Sequence, residues 1–89
     1  MNITFDTVKD QLNQNKHGVS LAEAEGFNWN NFLWEIDERR DYGEDREIGI
    51  GTIGSNLYCV VYVERADTRR IISLRRATKR EEDAYATSY

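Results

Sequence analysis

The stretch that decides the fold is Arg46–Arg76, REIGIGTIGSNLYCVVYVERADTRRIISLRR. Apolar and polar residues alternate within residues 46–53, 57–64 and 69–76, and this period of two is typical of β-strands. Residues 54–56 (Gly-Ser-Asn) and 66–68 (Ala-Asp-Thr) between these segments are typical of tight turns. We therefore predict an antiparallel three-stranded meander.

Strict alternation divides the meander into two faces. One face is apolar and is expected to meet helices; its members are Ile48, Ile50, Leu57, Cys59, Val61, Val63, Ile72 and Leu74. The other face mixes glycine, aromatic, basic and acidic residues, namely Gly49, Gly51, Tyr58, Val60, Tyr62, Glu64, Arg69, Ile71, Ser73 and Arg75. We expect the glycines to leave this second face open. Rings and arginines together suit RNA, since bases stack on rings and arginines hold phosphates, although a solvated sheet face has a similar composition.

Helices are predicted before and after the meander from their capping residues. They cover residues 7–15 after Asp6, residues 21–26 after Ser20 and residues 79–86 after Thr78. The last two begin with a capping box, because a Glu follows the Ser or Thr three residues later. Residues 2–5 and 32–37 are read as further strands. The predicted fold class is α+β, with an antiparallel β-meander packed on one face by two N-terminal helices and a C-terminal helix, in a single domain of residues 1–89.

Composition limits the class of protein. Charged residues make up 31% and apolar residues 39% of the 89 residues, which fits a globular domain. Neither a signal peptide nor an apolar run of transmembrane length is visible, so we expect a cytoplasmic protein without a membrane partner. One His and the single Cys59 offer no metal-ligand spacing, so we predict no metal and no cofactor.

Positive charge is concentrated in Arg65–Arg80. This window holds seven of the twelve Lys and Arg residues and one acid, a net charge of +6 in a chain of net charge −4. Such a window attracts phosphates or an acidic partner. The alternative is an ordinary solvated face.

Several blocks of the sequence resemble the BrnT family of toxins. They are Phe5-Asp6 with Lys9, Lys16–Ser20 (KHGVS), Gly43–Arg46 (GEDR), Val60–Arg65 (VVYVER) and Arg70–Glu81 (RIISLRRATKRE). The last block is the most specific, and KHGVS is the next. Residues 27–42 depart from the family pattern.

The resemblance implies a function and partners. BrnT proteins are toxins of bacterial type II toxin–antitoxin modules with a fold similar to that of RelE-type ribonucleases. They cleave RNA and thereby inhibit translation, and a small DNA-binding antitoxin, BrnA, neutralises them in a complex that represses its operon. We therefore expect a metal-independent endoribonuclease with an RNA substrate, and a BrnA-like antitoxin in a hetero-oligomer that binds operator DNA. The alternative is a degenerate, non-catalytic module that docks an antitoxin or RNA through its basic face.

Metal-free RNA cleavage needs a base, cations that stabilise the phosphorane and an acid. The catalytic candidates are Arg75, Glu64, Arg70, Ser73 and Tyr85. Arg75 ranks first because alternation places it on the open face with Ser73. Glu64 falls on the same face and is the candidate base, or else a structural ion-pair partner. Arg70 falls on the apolar face but stands near a strand end, from which it can reach round the sheet edge.

The candidates for binding RNA phosphates or bases are Arg46, Arg65, Arg76, Lys79, Arg80, Lys16, His17 and Tyr62. His17 titrates near neutral pH, but its place at a helix end also suits contacts with free carbonyls. Tyr62 and Tyr85 are each read as an acid, a stacking ring or a core ring. Arg46 either binds phosphate or pairs with Glu44.

Overall fold

The computed structural model describes residues 2–38 and 43–88. Five strands form one sheet in the order β1-β5-β4-β3-β2. The strands are β1 Asn2–Thr4, β2 Leu33–Ile36, β3 Glu47–Ile53, β4 Asn56–Arg65 and β5 Thr68–Arg76. The helices are α1 Thr7–His17, a 3-10 helix Leu21–Gly26 and α2 Lys79–Thr87. The α+β class is thereby confirmed.

The predicted meander is present as β3, β4 and β5, which pair antiparallel in sequence order. Two-residue turns join them, and each has a positive φ, 61° at Gly54 and 52° at Ala66. The short β1 pairs parallel to β5, and β2 pairs antiparallel to β3 at the opposite edge. The sheet is therefore mixed.

A β-bulge in β5 changes the faces that alternation predicts. Tyr62 is opposite Ile71 and Val61 is opposite Ser73, so Ile72 is an extra residue without a partner in the register. An extra residue moves every later side chain of its strand to the other face. Ser73 and Arg75 therefore share a face with Arg70, while Leu74 and Arg76 share one with Arg69.

The prediction that the second face is open is wrong. The core face, which packs against the 3-10 helix, consists of Gly49, Gly51, Tyr58, Val60, Tyr62, Ile71 and Leu74. Rings from Phe27, Trp29 and Phe32 cover it, with the Trp29 and Tyr62 ring centroids 5.1 Å apart. The glycines leave room for these rings, not for RNA, since a Cβ at Gly51 would lie 2.7 Å from the Phe27 ring.

The helices do not share one side of the sheet, contrary to the sequence prediction. The 3-10 helix packs on the core face, whereas α2 crosses the opposite surface, which we call the cleft face. This surface carries Ile48, Ile50, Cys59, Val61, Ser73 and Arg75. The bulge moves polar residues onto the cleft face and an additional apolar residue, Leu74, onto the core face. The cleft face nevertheless keeps the apolar residues of β3 and β4, so each face of the sheet packs against a helix.

Helix α1 lies along the outer edge of β5, where β1 no longer pairs with it. The buried Asn13 side chain donates to the carbonyls of Val19 (2.9 Å) and Leu74 (2.8 Å) and accepts from the Leu74 amide (3.2 Å). It thus substitutes for a neighbouring strand at the bulged part of β5. The apolar pair Val8 and Leu12 of the same helix stays exposed.

We expect Asn13→Ala to lower the free energy of unfolding by about 3 kcal/mol, because it leaves the buried Leu74 amide and carbonyl without partners. Urea denaturation measures this change. Asn15→Ala, at an exposed position of the same helix, is the matched control and is expected to change stability by less than about 0.5 kcal/mol. Equal effects of the two substitutions would contradict the role given to Asn13.

Candidate active site

A cleft of about 350 Å³ lies between α2 and the cleft face, and we call it the α2 cleft. Two rows of side chains cross its floor from β2 to β5. The first row is Glu35, Ile48, Val61 and Ser73, and the second is Leu33, Ile50, Cys59 and Arg75. Helix α2 contributes Arg80, Glu81 and Ala84 to the wall. Polar groups thus stand at both ends of a mostly apolar floor.

Arg75 is held in the cleft by Glu81. Its two terminal nitrogens donate to the two Glu81 carboxylate oxygens at 2.8 and 2.9 Å, a bidentate pair. The Glu81 carboxylate also accepts from the Thr78 amide at 2.8 Å and so completes the capping box of α2. One carboxylate therefore joins the start of α2 to the arginine of β5.

The electrostatics of Glu81 follow from these contacts. Hydrogen bonds from Arg75, more than the Thr78 amide, lower the pKa of Glu81 to about 2, although partial burial opposes the shift. The carboxylate is thus ionised throughout the physiological pH range. Arg75 therefore has a constant charged partner that orients its guanidinium.

A second, shallower depression begins on the other side of Ser73, and we call it the His17 depression. It is bordered by the α1 residues Lys16 and His17 and by Ile72. Burial, then Lys16 and then Arg75 lower the pKa of His17. The imidazole is therefore mainly neutral at pH 7, the form that can accept a proton. Ser73 lines both depressions and places His17 close to the site of Arg75.

Glu64 and Tyr62 do not belong to the α2 cleft, contrary to the sequence prediction. Both lie on the side of the sheet opposite Arg75, because the bulge reverses the alternation of β5. The Glu64 carboxylate accepts from Arg69 at 3.1 Å, which is the structural ion pair. Tyr62 is fully buried, and burial, followed by the nearby Glu47, raises the pKa of its phenol. Tyr62 is therefore a core ring.

The basic window does not form one positive patch. Three more of its cations have acidic partners besides Arg75, namely Arg65 with Glu44, Arg69 with Glu64 and Lys79 with Asp83. Arg76 lies on the Tyr58 side of the sheet, with its guanidinium 5.6 Å from the ring centroid. Arg70 is exposed on the same side of β5 as Arg75, and Arg80 lines the α2 cleft. The charges of the window are thus divided between two faces.

Two further candidates, Arg46 and Tyr85, lie on other elements of the fold. Arg46 precedes β3, and its carbonyl accepts from the Asp37 amide at 2.7 Å. Tyr85 is half-buried on α2, one turn after Glu81. The two depressions thus bring together five predicted residues, namely Lys16, His17, Ser73, Arg75 and Arg80, while Arg70 shares only the strand face of Ser73 and Arg75.

Two charged residues of the cleft, Glu35 and Glu81, were not predicted as site residues. Glu81 was recognised as part of a capping box, and its position six residues after Arg75 was the available signal for a second role. Nothing in the local pattern around Glu35 distinguishes it, since only the register of β2 against β3 brings it to the cleft.

Within residues 2–38 and 43–88, no group of three or more His, Cys, Asp and Glu side chains could hold a metal ion. None of the helices in these ranges is long and apolar enough to cross a membrane.

Comparison with known proteins first identifies the class of protein to which this fold belongs. The fold is similar to the 1.1 Å crystal structure of the Brucella abortus ribonuclease toxin BrnT, with a TM-score of 0.65 and 26% sequence identity over 89% of this chain and 99% of that chain. No curated protein sequence matches the chain significantly. The fold is thus that of a ribonuclease toxin. Residues 5–81 match the family of ribonuclease toxin, BrnT, of type II toxin-antitoxin system. The chain belongs to the BrnT family, which implies an antitoxin partner and an RNA target.

Proposed function

We propose that the chain is a metal-independent endoribonuclease toxin that cleaves RNA in the α2 cleft and so inhibits translation. The observation that carries this proposal is the bidentate anchoring of Arg75 by Glu81 at one end of a cleft, next to Ser73. Glu81 takes two of the five N–H donors of Arg75 and thereby fixes the plane of the guanidinium, so the proposal assigns the phosphate to the other N–H groups of this oriented arginine.

In this mechanism the cations act on the phosphate. Arg75 binds the scissile phosphate and stabilises the additional negative charge of the phosphorane, and Arg80 supports it from α2. Arg70 and Lys16 border the path of the RNA chain and hold the neighbouring phosphates. These positive groups supply the charge stabilisation that a metal ion supplies in other ribonucleases.

His17 is the general base of the proposal. Its lowered pKa keeps the imidazole neutral at pH 7, so it can take the proton of the attacking ribose 2′-hydroxyl. Ser73 lines both the α2 cleft and the His17 depression, and in the proposal its hydroxyl orients the substrate by hydrogen bonds. Tyr85 remains the candidate for the acid that protonates the leaving 5′-oxygen.

Purified protein is expected to cleave single-stranded RNA at an undiminished rate in the presence of EDTA, because side chains of the protein carry every assigned step. A fluorescent RNA separated on a denaturing gel measures the rate. A metal-dependent nuclease serves as the positive control for chelation. If EDTA abolishes cleavage and a divalent ion restores it, the metal-independent mechanism is wrong.

The antitoxin of the proposal is a small BrnA-like protein that covers the surface around Arg65–Arg80, blocks the α2 cleft and binds operator DNA within the hetero-oligomer. Two exposed apolar residues of α1, Val8 and Leu12, support a protein interface near this surface, because α1 packs against β5. Residues 1–89 act as one domain in the cytoplasm, with strands arranged as in RelE-type toxins. In that compartment the toxin meets both the mRNA that is being translated and the antitoxin.

A further inference from the structure

The α2 cleft is longer than a phosphate site requires. Glu35 of β2 and Ser73 of β5 end the same cross-strand row, with Ile48 and Val61 between them. Three strand spacings separate the two ends, about 14 Å between the Cα atoms. The phosphate group assigned to Arg75 and Ser73 occupies only one end. A substrate group that extends along the row reaches the carboxylate at the other end.

The floor between these ends is apolar. Cys59 and Val61 are buried under it, and Ile48 and Ile50 continue it toward β2. The volume of the α2 cleft, about 350 Å³, is within the range of small-molecule sites. Such a floor adds nothing to phosphate binding, but it suits the flat, weakly hydrated faces of a nucleobase, which single-stranded RNA can turn outward.

The chemistry of Glu35 selects among the four bases. A carboxylate accepts hydrogen bonds and donates none, and its two oxygens match a pair of adjacent donors. Guanine presents two adjacent donors, N1–H and the N2 amino group, on its Watson–Crick edge. Adenine and cytosine each present one amino group beside an acceptor, and uracil presents one N–H between two acceptors. A carboxylate at this place therefore favours guanine over the other three bases.

We propose that the apolar part of the α2 cleft is a guanine-binding subsite, in which Glu35 reads the Watson–Crick edge of the base next to the cleaved phosphate. The proposal rests on the ribonuclease function proposed above and extends it to sequence preference. The base lies on Ile48 and Val61 and beneath Ala84 of α2, while its phosphate contacts Arg75. Glu35 thus determines specificity and takes no part in the chemical step.

The first experiment measures binding without cleavage. Four 2′-O-methyl RNA pentamers, UUNUU with N as G, A, C or U, are titrated into the protein by fluorescence anisotropy. The guanine pentamer is expected to bind about tenfold to a hundredfold more tightly than the others, the range of one bidentate base contact. Glu35→Gln is expected to remove most of this preference, because the amide replaces one acceptor by a donor. Glu25→Gln, at an exposed position of the 3-10 helix, is the matched control and keeps the preference.

A second variant tests the place of the subsite. Ala84 is exposed on α2 and lines the cleft, so Ala84→Trp narrows the cleft without removing a core atom. We expect it to weaken binding of the guanine pentamer to the level of the other three pentamers. Circular dichroism and thermal unfolding establish that each variant is folded.

The outcomes separate this inference from the function on which it rests. Cleavage of ordinary RNA by the parent with no excess of guanine beside the cut would overturn the subsite and leave the ribonuclease intact. Guanine preference in binding without any cleavage would support the subsite and refute the ribonuclease. If Glu35→Gln and Ala84→Trp leave RNA binding unchanged but weaken binding of the antitoxin, the cleft takes a protein side chain and the subsite is refuted.

Discussion

Arg75→Ala is expected to lower the rate of RNA cleavage about a hundredfold to a thousandfold, the usual effect of losing one group that stabilises transition-state charge. The bidentate contact with Glu81 fixes the guanidinium at the end of the α2 cleft, so alanine removes a preorganised charge rather than a mobile one. Expression of the parent chain without its antitoxin is expected to arrest bacterial growth, and Arg75→Ala is expected to relieve the arrest.

Arg76→Ala is the matched control. Arg76 is the next residue of β5, carries the same charge and lies on the opposite side of the sheet above Tyr58. It is expected to keep more than about half of the activity, because its loss removes only a distant, exposed charge that water and salt screen. Single-turnover cleavage by both folded variants measures the difference. If Arg75→Ala cleaves as fast as Arg76→Ala, Arg75 has no catalytic role.

Glu81→Gln is expected to lower both activity and stability. Without the carboxylate the Arg75 guanidinium loses its fixed orientation, and misplacement of a catalytic group by about 1 Å costs up to about a hundredfold in rate. The lost charged hydrogen bonds lower the free energy of unfolding at pH 7 by about 2 kcal/mol. Urea denaturation and single-turnover cleavage measure the two effects, at a temperature where the variant is folded.

The stability effect has a defined pH dependence. Because the folded-state pKa of Glu81 is lowered from 4.5 to about 2, its contribution is complete above pH 4.5 and is lost as the pH falls toward 2. The parent and Glu81→Gln are therefore expected to differ at pH 7 and to converge near pH 2. Glu82→Gln, one position further along α2, is the control and is expected to follow the parent. A pH-independent difference would show that the charge of Glu81 is not the cause.

Local sequence patterns were sufficient to predict most helices and strands of this fold. The alternation in Arg46–Arg76 predicted the meander, and the capping boxes at Ser20 and Thr78 predicted where two helices begin. Each of these signals depends on residues within one turn or one strand. Such contacts join residues that are close in the sequence, so they can be recognised without knowledge of the tertiary structure.

Long-range geometry was not predictable in the same way. One extra residue, Ile72, exchanged the faces of Ser73 and Leu74, and nothing in the composition of β5 marks it as a bulge. The core face is covered by Phe27, Trp29 and Phe32, whose segment has no regular period. The pairing of Arg65 with Glu44 likewise joins residues far apart in the chain, so the net charge of a sequence window overstated the local field.

The site was predicted in part for the same reason. Arg75 and Ser73 reach the cleft together because both follow the bulge and are two residues apart, so they stay on the same face of β5. Glu64 of β4 is opposite Arg69, which precedes the bulge of β5, so its predicted place on the face of Arg75 was lost. The partner that replaces it, Glu81, comes from α2 through a turn that the alternation of the strand does not describe.

The most direct test of the central claim, that RNA binds in the α2 cleft, is an NMR titration of the protein with a 2′-O-methyl RNA pentamer containing guanine. We expect chemical-shift changes at Glu35, Ile48, Val61, Ser73 and the first turn of α2, and none at core-face residues such as Val60 and Ile71. Shifts confined to the Tyr58 and Arg76 side of the sheet, with the α2 cleft unchanged, would contradict the claim.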